Sequence, residues 1–548
     1  MLMLSGCTAP IVKTTDAPAG DEYVTWLPKY FKTATNERLP PPTELWWKEF
    51  GSDELNEFVD IAIANNFDLR VAIARVTQAR AQVDVVNAAL FPVLDLVPAY
   101  AIQAPSAGIG SAGLTTQWQS RSSYQLGALA SYEVDIWGKK GFNTQSAISQ
   151  ALASEFSRDA IALSLVGDVA TNYFQVLSLN ERIAVGDRNL IEIRKISKGL
   201  KRRLDMGDST LIDLSQQLIL QNNTEALVVS QKLQRDDAIN RLATLMGRTP
   251  SSIKVKMETL ESLNVALVQP GLPSELLCRR PDIRRAEAML ESSQADLYSA
   301  RANILPSFAL TGGGGYGSFA LSTITSPQSF FYNFGASIVA HVFDGGKRRA
   351  EERVADAKNV EMLETYAATV LAALRDVESS LSGIHYTAEG YGYSNQARLQ
   401  AQKLATMSAR VVELGGMDYV QLYEIQRSVF TAEDAAINAK FDQLRASVSL
   451  FKAIGGGMTY KGDTCKGGGK LPPADPMWVE RQNSFSSPVV ADNAQSTVKN
   501  TGSASSKPAA IKTLNPNFPT GDTAPLSKPV FVPVVQPAAT VNSTPLGS

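Results

Sequence analysis

The sequence predicts an α+β membrane protein built twice, with two β-hairpins per chain and a pair of very long helices after each. Three observations carry the prediction. Residues match in order between the two halves, two segments per half alternate apolar with polar positions, and each half ends in a long proline-free stretch with helical spacing.

The matches come first because they define the unit. Gly207 pairs with Gly415, Leu214 with Leu422 and Gly247 with Gly455, all at one shift. Upstream, Asp68-Leu69-Arg70 pairs with Asp282-Ile283-Arg284, and Phe91-Pro92 with Leu305-Pro306, at a slightly different shift. A small length change must lie between the two sets. Ala101–Ser123 and Gly315–Ser329, both rich in Gly, Ser and Thr, are the natural place. The period is far longer than a solenoid repeat. It divides the chain into a first repeat, 45–270, and a second, 271–458.

Within the first repeat, Ser52 is a good helix cap, and Asp53 and Glu54 favour the positive helix end. That helix breaks near Asn65-Asn66 and resumes to about Leu90. Pro281 and Asp282 open its counterpart, since proline is tolerated in a first turn. Hairpins follow, at about 92–136 and 306–343. Tyr124, Leu126, Ala128, Ala130, Tyr132, Val134 and Ile136 alternate with mostly polar neighbours. Tyr332, Phe334, Ala336, Ile338, Ala340 and Val342 repeat the pattern, which places His341 on the opposite face near a strand end. Such alternation suits a half-buried sheet, or a barrel wall with lipid outside and water inside. The helical hairpins span about 138–247 and 346–455; a helix of ~60 residues would reach about 90 Å.

Four strands cannot close a barrel, and an open edge in lipid leaves backbone groups unpaired at several kcal/mol each. Several chains must therefore share one barrel. No apolar run reaches the ~18 residues of a spanning helix, so a membrane crossing falls to the strands. The formal net charge of −2 argues against a nucleic-acid partner. Two histidines, His341 and His385, and three distant cysteines, Cys7, Cys278 and Cys465, suggest no metal site, cofactor, disulfide framework or enzyme, and Cys278 reads as an inert thiol.

The start, Leu4-Ser5-Gly6-Cys7, resembles a bacterial lipobox at the end of a shortened signal, 1–7, with Cys7 as the lipid-bearing residue. Thr8 is compatible with outer-membrane sorting, and 8–44 reads as an extended tether. Beyond the second repeat, 459–548 has the composition of a disordered tail.

Several motifs stand out: Trp46-Trp47-Lys48-Glu49-Phe50-Gly51, Leu272-Pro273-Ser274-Glu275-Leu276-Leu277-Cys278-Arg279-Arg280-Pro281-Asp282, the junctions Asp135-Ile136-Trp137-Gly138 and Phe343-Asp344-Gly345-Gly346, and Ala453-Ile454-Gly455-Gly456-Gly457. Together they resemble the TolC-like outer-membrane factors, OprM/NodT lipoprotein branch. The resemblance implies a homotrimer with a twelve-stranded outer-membrane barrel, continued by a helical tube across the periplasm. It also implies a periplasmic adaptor and an inner-membrane pump that load a passive duct for small molecules.

Two helix reversals would form the periplasmic mouth. By position in this family, Asp208, Asp213, Asp418 and Tyr419 are gate candidates, and the turns holding Arg203, Gly207, Arg410 and Gly415 are adaptor-docking candidates. Asp208 and Asp418 also suit simple helix-start roles, and the two readings are compatible. Other functions with this outline are a protein-export duct and a non-conducting, lipid-anchored scaffold.

Overall fold

The computed structural model describes residue 31 and residues 43–103, 121–256, 258–268, 270, 273–413, 416 and 419–457. These fall in the first of two units, Met1–Ser487; the second, Pro488–Ser548, lies outside the described residues, as does Cys7.

The described chain runs α1 (Asp53–Asn65), α2 (Phe67–Ala88), β1 (Val93–Gln103), β2 (Arg121–Val134), α3 (Lys139–Asp205) and α4 (Leu211–Leu245). It continues with α5 (Pro273–Arg279), α6 (Pro281–Ala302), β3 (Ser307–Ser318), β4 (Phe330–Val339), α7 (Lys347–Glu413) and α8 (Tyr419–Ala453). The halves agree element by element. Helices α2 and α6 have 22 residues each, α3 and α7 have 67, and α4 and α8 have 35. At 1.5 Å per residue, α3 and α7 are each about 100 Å long.

Local chemistry sets the breaks. The Ser52 hydroxyl accepts from the Leu55 amide and starts α1. Asn66 divides α1 from α2 because its side chain accepts from the Leu69 amide and caps the second helix. Pro281 sits in the first turn of α6.

The four strands form one antiparallel sheet in the order β1-β2-β3-β4. The helices beneath keep that order, with α2 packed on α3, α3 on α6 and α6 on α7. Helix α4 folds back along α3, and α8 along both α7 and α3. Strand β4 ends at Val339, three residues before Val342, so His341 lies beyond the sheet. The reason is local: Arg348 in the first turn of α7 bonds the His341 ring nitrogen Nδ1 at 2.9 Å and the Asn303 carbonyl at 2.6 Å, and these contacts tie the chain to the helical side. Cys278 is disulfide-bonded, not a free thiol; sequence separation alone does not reveal which cysteines meet.

The core lies where the halves meet. Trp46 stacks on Phe451 of α8 at 4.9 Å, and Phe50 meets Phe174 of α3 at 5.0 Å. The short turn Trp46–Phe50 thus wedges between a first-half helix and a second-half helix, with Trp46 and Phe50 fully buried. One stretch of α3 is apolar enough to cross a membrane by composition, but 61% of it is buried in protein, as a core helix requires.

Candidate duct wall and periplasmic mouth

Strand register sorts every residue of the sheet to one of two faces. Leu94, Leu96, Tyr100 and Ile102 of β1 share a face with Tyr124, Leu126, Ala128, Ala130 and Tyr132 of β2. Phe308, Leu310 and Tyr316 of β3, and Phe330, Tyr332, Phe334 and Ile338 of β4, complete it. This face is apolar apart from Ser122 and Ser318 at one end, and no described element covers it: Phe334 is 85% exposed and Leu94 and Leu96 are 73% exposed. An uncovered apolar face of this extent suits lipid, not water.

The opposite face is mixed: it carries Asp95, Gln103, Arg121, Gln125, Ser131, Glu133, Thr311, Asn333 and Ser337, with Gly127, Gly313, Gly315, Gly317 and Gly335 among them, and also Val93, Val97, Leu129, Phe331 and Val339. Glycine serves two purposes here. A Cβ on Gly315 would collide with the Leu126 carbonyl and the Gly127 backbone, so the β2–β3 approach depends on it. The ring of Phe331 also lies across Gly127 and Gly317, covering backbone that lacks side chains.

Aromatic residues gather at both ends of the apolar band. Tyr100 meets Tyr124 at 4.9 Å and Tyr316 meets Phe330 at 5.6 Å at one end. At the other, Trp137 donates to the Pro306 carbonyl at 2.7 Å and lies 6.4 Å from Phe308. Between the paired rows Leu126–Tyr316–Phe330 and Val134–Phe308–Ile338 the strand rises about 27 Å, which at a barrel strand's tilt of about 40° spans about 21 Å of the roughly 25 Å apolar band.

The strands pass to helices through two glycine junctions. Gly138 and Gly346 have φ of +77° and +84°, which L side chains rarely adopt. Asp135 accepts from the Gly141 amide at 2.8 Å, and Asp344 accepts from the Gly346 and Arg348 amides at 2.9 and 3.2 Å. These backbone bonds, the Arg348 amide first, hold the Asp344 carboxyl below the usual aspartate range.

At the far end of the helices, α3 stops at Met206-Gly207, where Gly207 has φ +82° and the Asp208 amide donates to the Arg203 carbonyl at 2.8 Å. The second reversal repeats the bond: the Gly416 amide donates to the Val411 carbonyl at 3.0 Å. Asp213 closes a capping box with Thr210, accepting from its amide at 3.1 Å and its hydroxyl at 2.7 Å. Those bonds, the hydroxyl first, lower its pKa. Asp208 is exposed beside it and makes no side-chain hydrogen bond among the described residues. Arg203 and Arg410 are both exposed in last helical turns. Tyr419 opens α8, with its side chain outside the described part, and Gly415 and Asp418 lie outside the described residues.

The reading from sequence missed the residues that fasten the helices within each half and those that join the halves. The buried Arg280 guanidinium binds Asp282 at 3.0 and 2.7 Å, Asp376 at 3.3 Å and the Ala453 carbonyl at 3.0 Å. Burial by itself would lower its pKa, but the two carboxylates outweigh that and raise it. In the first half Asn66 performs the same task, donating to the Leu245 carbonyl at 2.9 Å. Arg182 of α3 forms a bidentate pair with Asp434 of α8 at 2.7 and 3.2 Å, far apart in sequence. Nearby, Glu181 of α3 accepts from the Leu260 amide, burial pushes its carboxyl up, and Arg398 of α7 pairs with Glu261 at 3.1 Å. The segment joining the halves is thereby strapped to both.

The family model described as outer membrane efflux protein matches the chain in two segments, residues 58–248 and 272–456. The chain belongs to the outer membrane efflux protein family. This outer membrane efflux protein is 34% identical over 415 residues to the pyoverdine export outer membrane protein OpmQ of Pseudomonas aeruginosa, covering 75% of this chain and 87% of OpmQ. It is 30% identical over 461 residues to outer membrane protein OprJ of the same species, covering 83% of this chain and 94% of OprJ. Its fold is that of the outer-membrane channel OprN, with TM-score 0.73, 28% identity, and 78% of this chain and 96% of that one covered. The protein is thus an efflux channel component of the cell outer membrane.

Proposed function

We propose that three copies close one barrel of about twelve strands in the outer membrane and that their helices continue it as a tube through the periplasm. The observation that carries this is the single four-stranded sheet with one apolar face and two open edges, β1 and β4. Neither edge is tolerable in lipid, and pairing β4 of one copy with β1 of the next removes both. The matched helix lengths, junction glycines and reversal bonds support an internal duplication, with repeats at 45–270 and 271–458. Three chains then give a pseudo-sixfold wall.

In this reading the duct is passive. A periplasmic adaptor and an inner-membrane pump load it in a tripartite efflux system, and Cys7 carries the lipid anchor. OpmQ is by its name a pyoverdine exporter, and a small molecule is the cargo class proposed here. Asp208, Asp213, Asp418 and Tyr419 are proposed to shape the closed mouth, with the turns at Arg203, Gly207, Arg410 and Gly415 meeting the adaptor.

Planar-bilayer recording of the full-length protein tests the duct, and chemical cross-linking in detergent tests the number of copies. Discrete conductance steps and a ladder ending at three are expected. A protein that inserts without conducting would fit the scaffold reading instead.

A further inference from the structure

The disulfide at Cys278 joins it to one of two residues. The chain carries three cysteines, so a bond within it leads from Cys278 to Cys7 or to Cys465. Both lie outside the described residues. Cys278 itself is half-buried in α5, the short helix just before the Arg280 clamp.

The two halves pack their closing glycines alike. In the first, a Cβ on Gly247 would lie 2.5 Å from the Asn65 carbonyl oxygen, at the end of α1. In the second, one on Gly455 would lie 2.7 Å from the Arg279 carbonyl oxygen, at the end of α5. Helices α1 and α5 are counterparts in this packing, and the chain leaves each closing glycine from the same place against them.

In the first half the course of that chain is described. It turns through Pro250–Ser252, sets Ile253 and Val255 against the main core, and runs back to α1. Hydrogen bonds pin it there. The Lys256 amide donates to Glu54 Oε1 at 2.9 Å, and the Glu258 carboxylate accepts from the Ser52 hydroxyl at 3.1 Å and the Tyr173 hydroxyl at 2.9 Å. The shift that pairs Gly247 with Gly455 pairs Lys256 with Thr464 and Glu258 with Lys466, so Cys465 stands between the counterparts of the two pinned residues. The groups that do the pinning are not repeated. Where the first half has Ser52, Glu54 and Tyr173, the shifts that match the halves put Ala266, Val268 and Leu381.

We propose that Cys278 is bonded to Cys465, so that a covalent link holds the chain on α5 where hydrogen bonds hold it on α1. The assignment rests on two parts of the proposed function, the duplication and the lipid anchor: a Cys7 sulfur that carries diacylglycerol as a thioether has no thiol left to pair. Reach favours the same choice. Cys465 follows by ten residues a glycine already packed on Arg279, whereas Cys7 precedes the buried Phe31 by twenty-four. In the oxidising periplasm both thiols lose their protons, and the two electrons pass to the disulfide of a thiol oxidant, which leaves as a dithiol. The ring so closed takes in α6, β3, β4, α7 and α8, leaving the first half without a covalent closure of its own.

The test is peptide mapping of the full-length protein, extracted from membranes in detergent, with free thiols blocked and trypsin applied without reductant. Cleavage leaves Cys278 on peptide 257–279 and Cys465 on peptide 462–466. These two should be found cross-linked and should separate on reduction. Cys278 joined to the Cys7 peptide would overturn the proposal and the lipid anchor together. A blocked, unpaired Cys278 beside an acylated Cys7 would overturn the proposal alone, and a Cys278–Cys465 pair with Cys7 unacylated would remove the anchor alone. A bond between copies, seen as a dimer on a non-reducing denaturing gel, would also overturn it. In Cys465→Ser, denatured without reductant, Cys278 should react with maleimide where the parent's does not; continued protection would name Cys7 as the partner and sink the assignment. Reduction of the parent should raise hydrogen exchange in α5 and leave α1 unchanged, and equal changes in the two helices would overturn the holding role.

Discussion

At single positions, the glycines that end the helices differ in what constrains them. Gly207 and Gly247 both have positive φ, +82° and +63°. A Cβ on Gly207 meets nothing within 4 Å, whereas one on Gly247 would lie 2.5 Å from the Asn65 carbonyl oxygen. Gly455 repeats the second case, 2.7 Å from the Arg279 carbonyl oxygen. Gly207→Ala should therefore cost about 1 kcal/mol of backbone strain. Gly247→Ala and Gly455→Ala should cost clearly more, since the backbone must also shift. Thermal unfolding in detergent would show the difference as a larger fall in midpoint for the latter pair. Asp213 gives a pH prediction. Its pKa is lowered in the folded state, so the cap is fully present above the ordinary aspartate range and is lost as pH falls through the lowered value. Hydrogen exchange at the start of α4 should accelerate over that acidic window, and Asp213→Asn should remove the pH dependence. Asp418→Ala should change conductance and cation preference in bilayers; unchanged recordings would remove it from the gate.

Among the elements, the sheet was legible in the sequence and its end was not. Alternation at Tyr124, Leu126, Ala128 and Ala130 announces one apolar side, and the register puts these residues on one face. It cannot show where β4 stops, because Ala340 and Val342 continue the pattern while Arg348, from the next helix, draws His341 out of the strand. The faces make a paired prediction. Ala128→Arg, on the apolar face, should cost about 2–4 kcal/mol and deplete the protein from membranes. Gln125→Arg, on the other face, should assemble normally and alter ion selectivity. Quantifying outer-membrane protein after both substitutions decides it. The clamp at Arg280 was visible only as a conspicuous motif, since its partners Asp376 and the Ala453 carbonyl come from distant helices. Arg280→Ala should loosen α8 from α6 and α7 at a cost of about 1–3 kcal/mol, from the bonds left unmade. A selective rise in hydrogen exchange over the last turn of α8 would report it.

Across the whole molecule, the order of matched residues predicts long helices of equal length in the two halves, as the structure has them, because glycines forced into positive φ and helix-starting residues are fixed by local geometry. Local geometry says nothing of how the halves are fastened. The Arg182–Asp434 bridge and the Glu181 and Arg398 contacts to the joining segment depend on side chains brought together only by folding.

The β2–β3 pairing has a consequence for how the chain is encoded. Those strands come from different halves, yet they pair along Tyr124–Val134 as neighbours within one polypeptide. If β4 meets β1 of the next copy in the same way, the wall contains six alike seams, three inside chains and three between them. Peptide continuity would then be a convenience and not a necessity. A gene cut between the codons for residues 249 and 272 and expressed as two fragments should yield six-part assemblies that conduct like the parent, and failure to reassemble would show that the joining segment is structural.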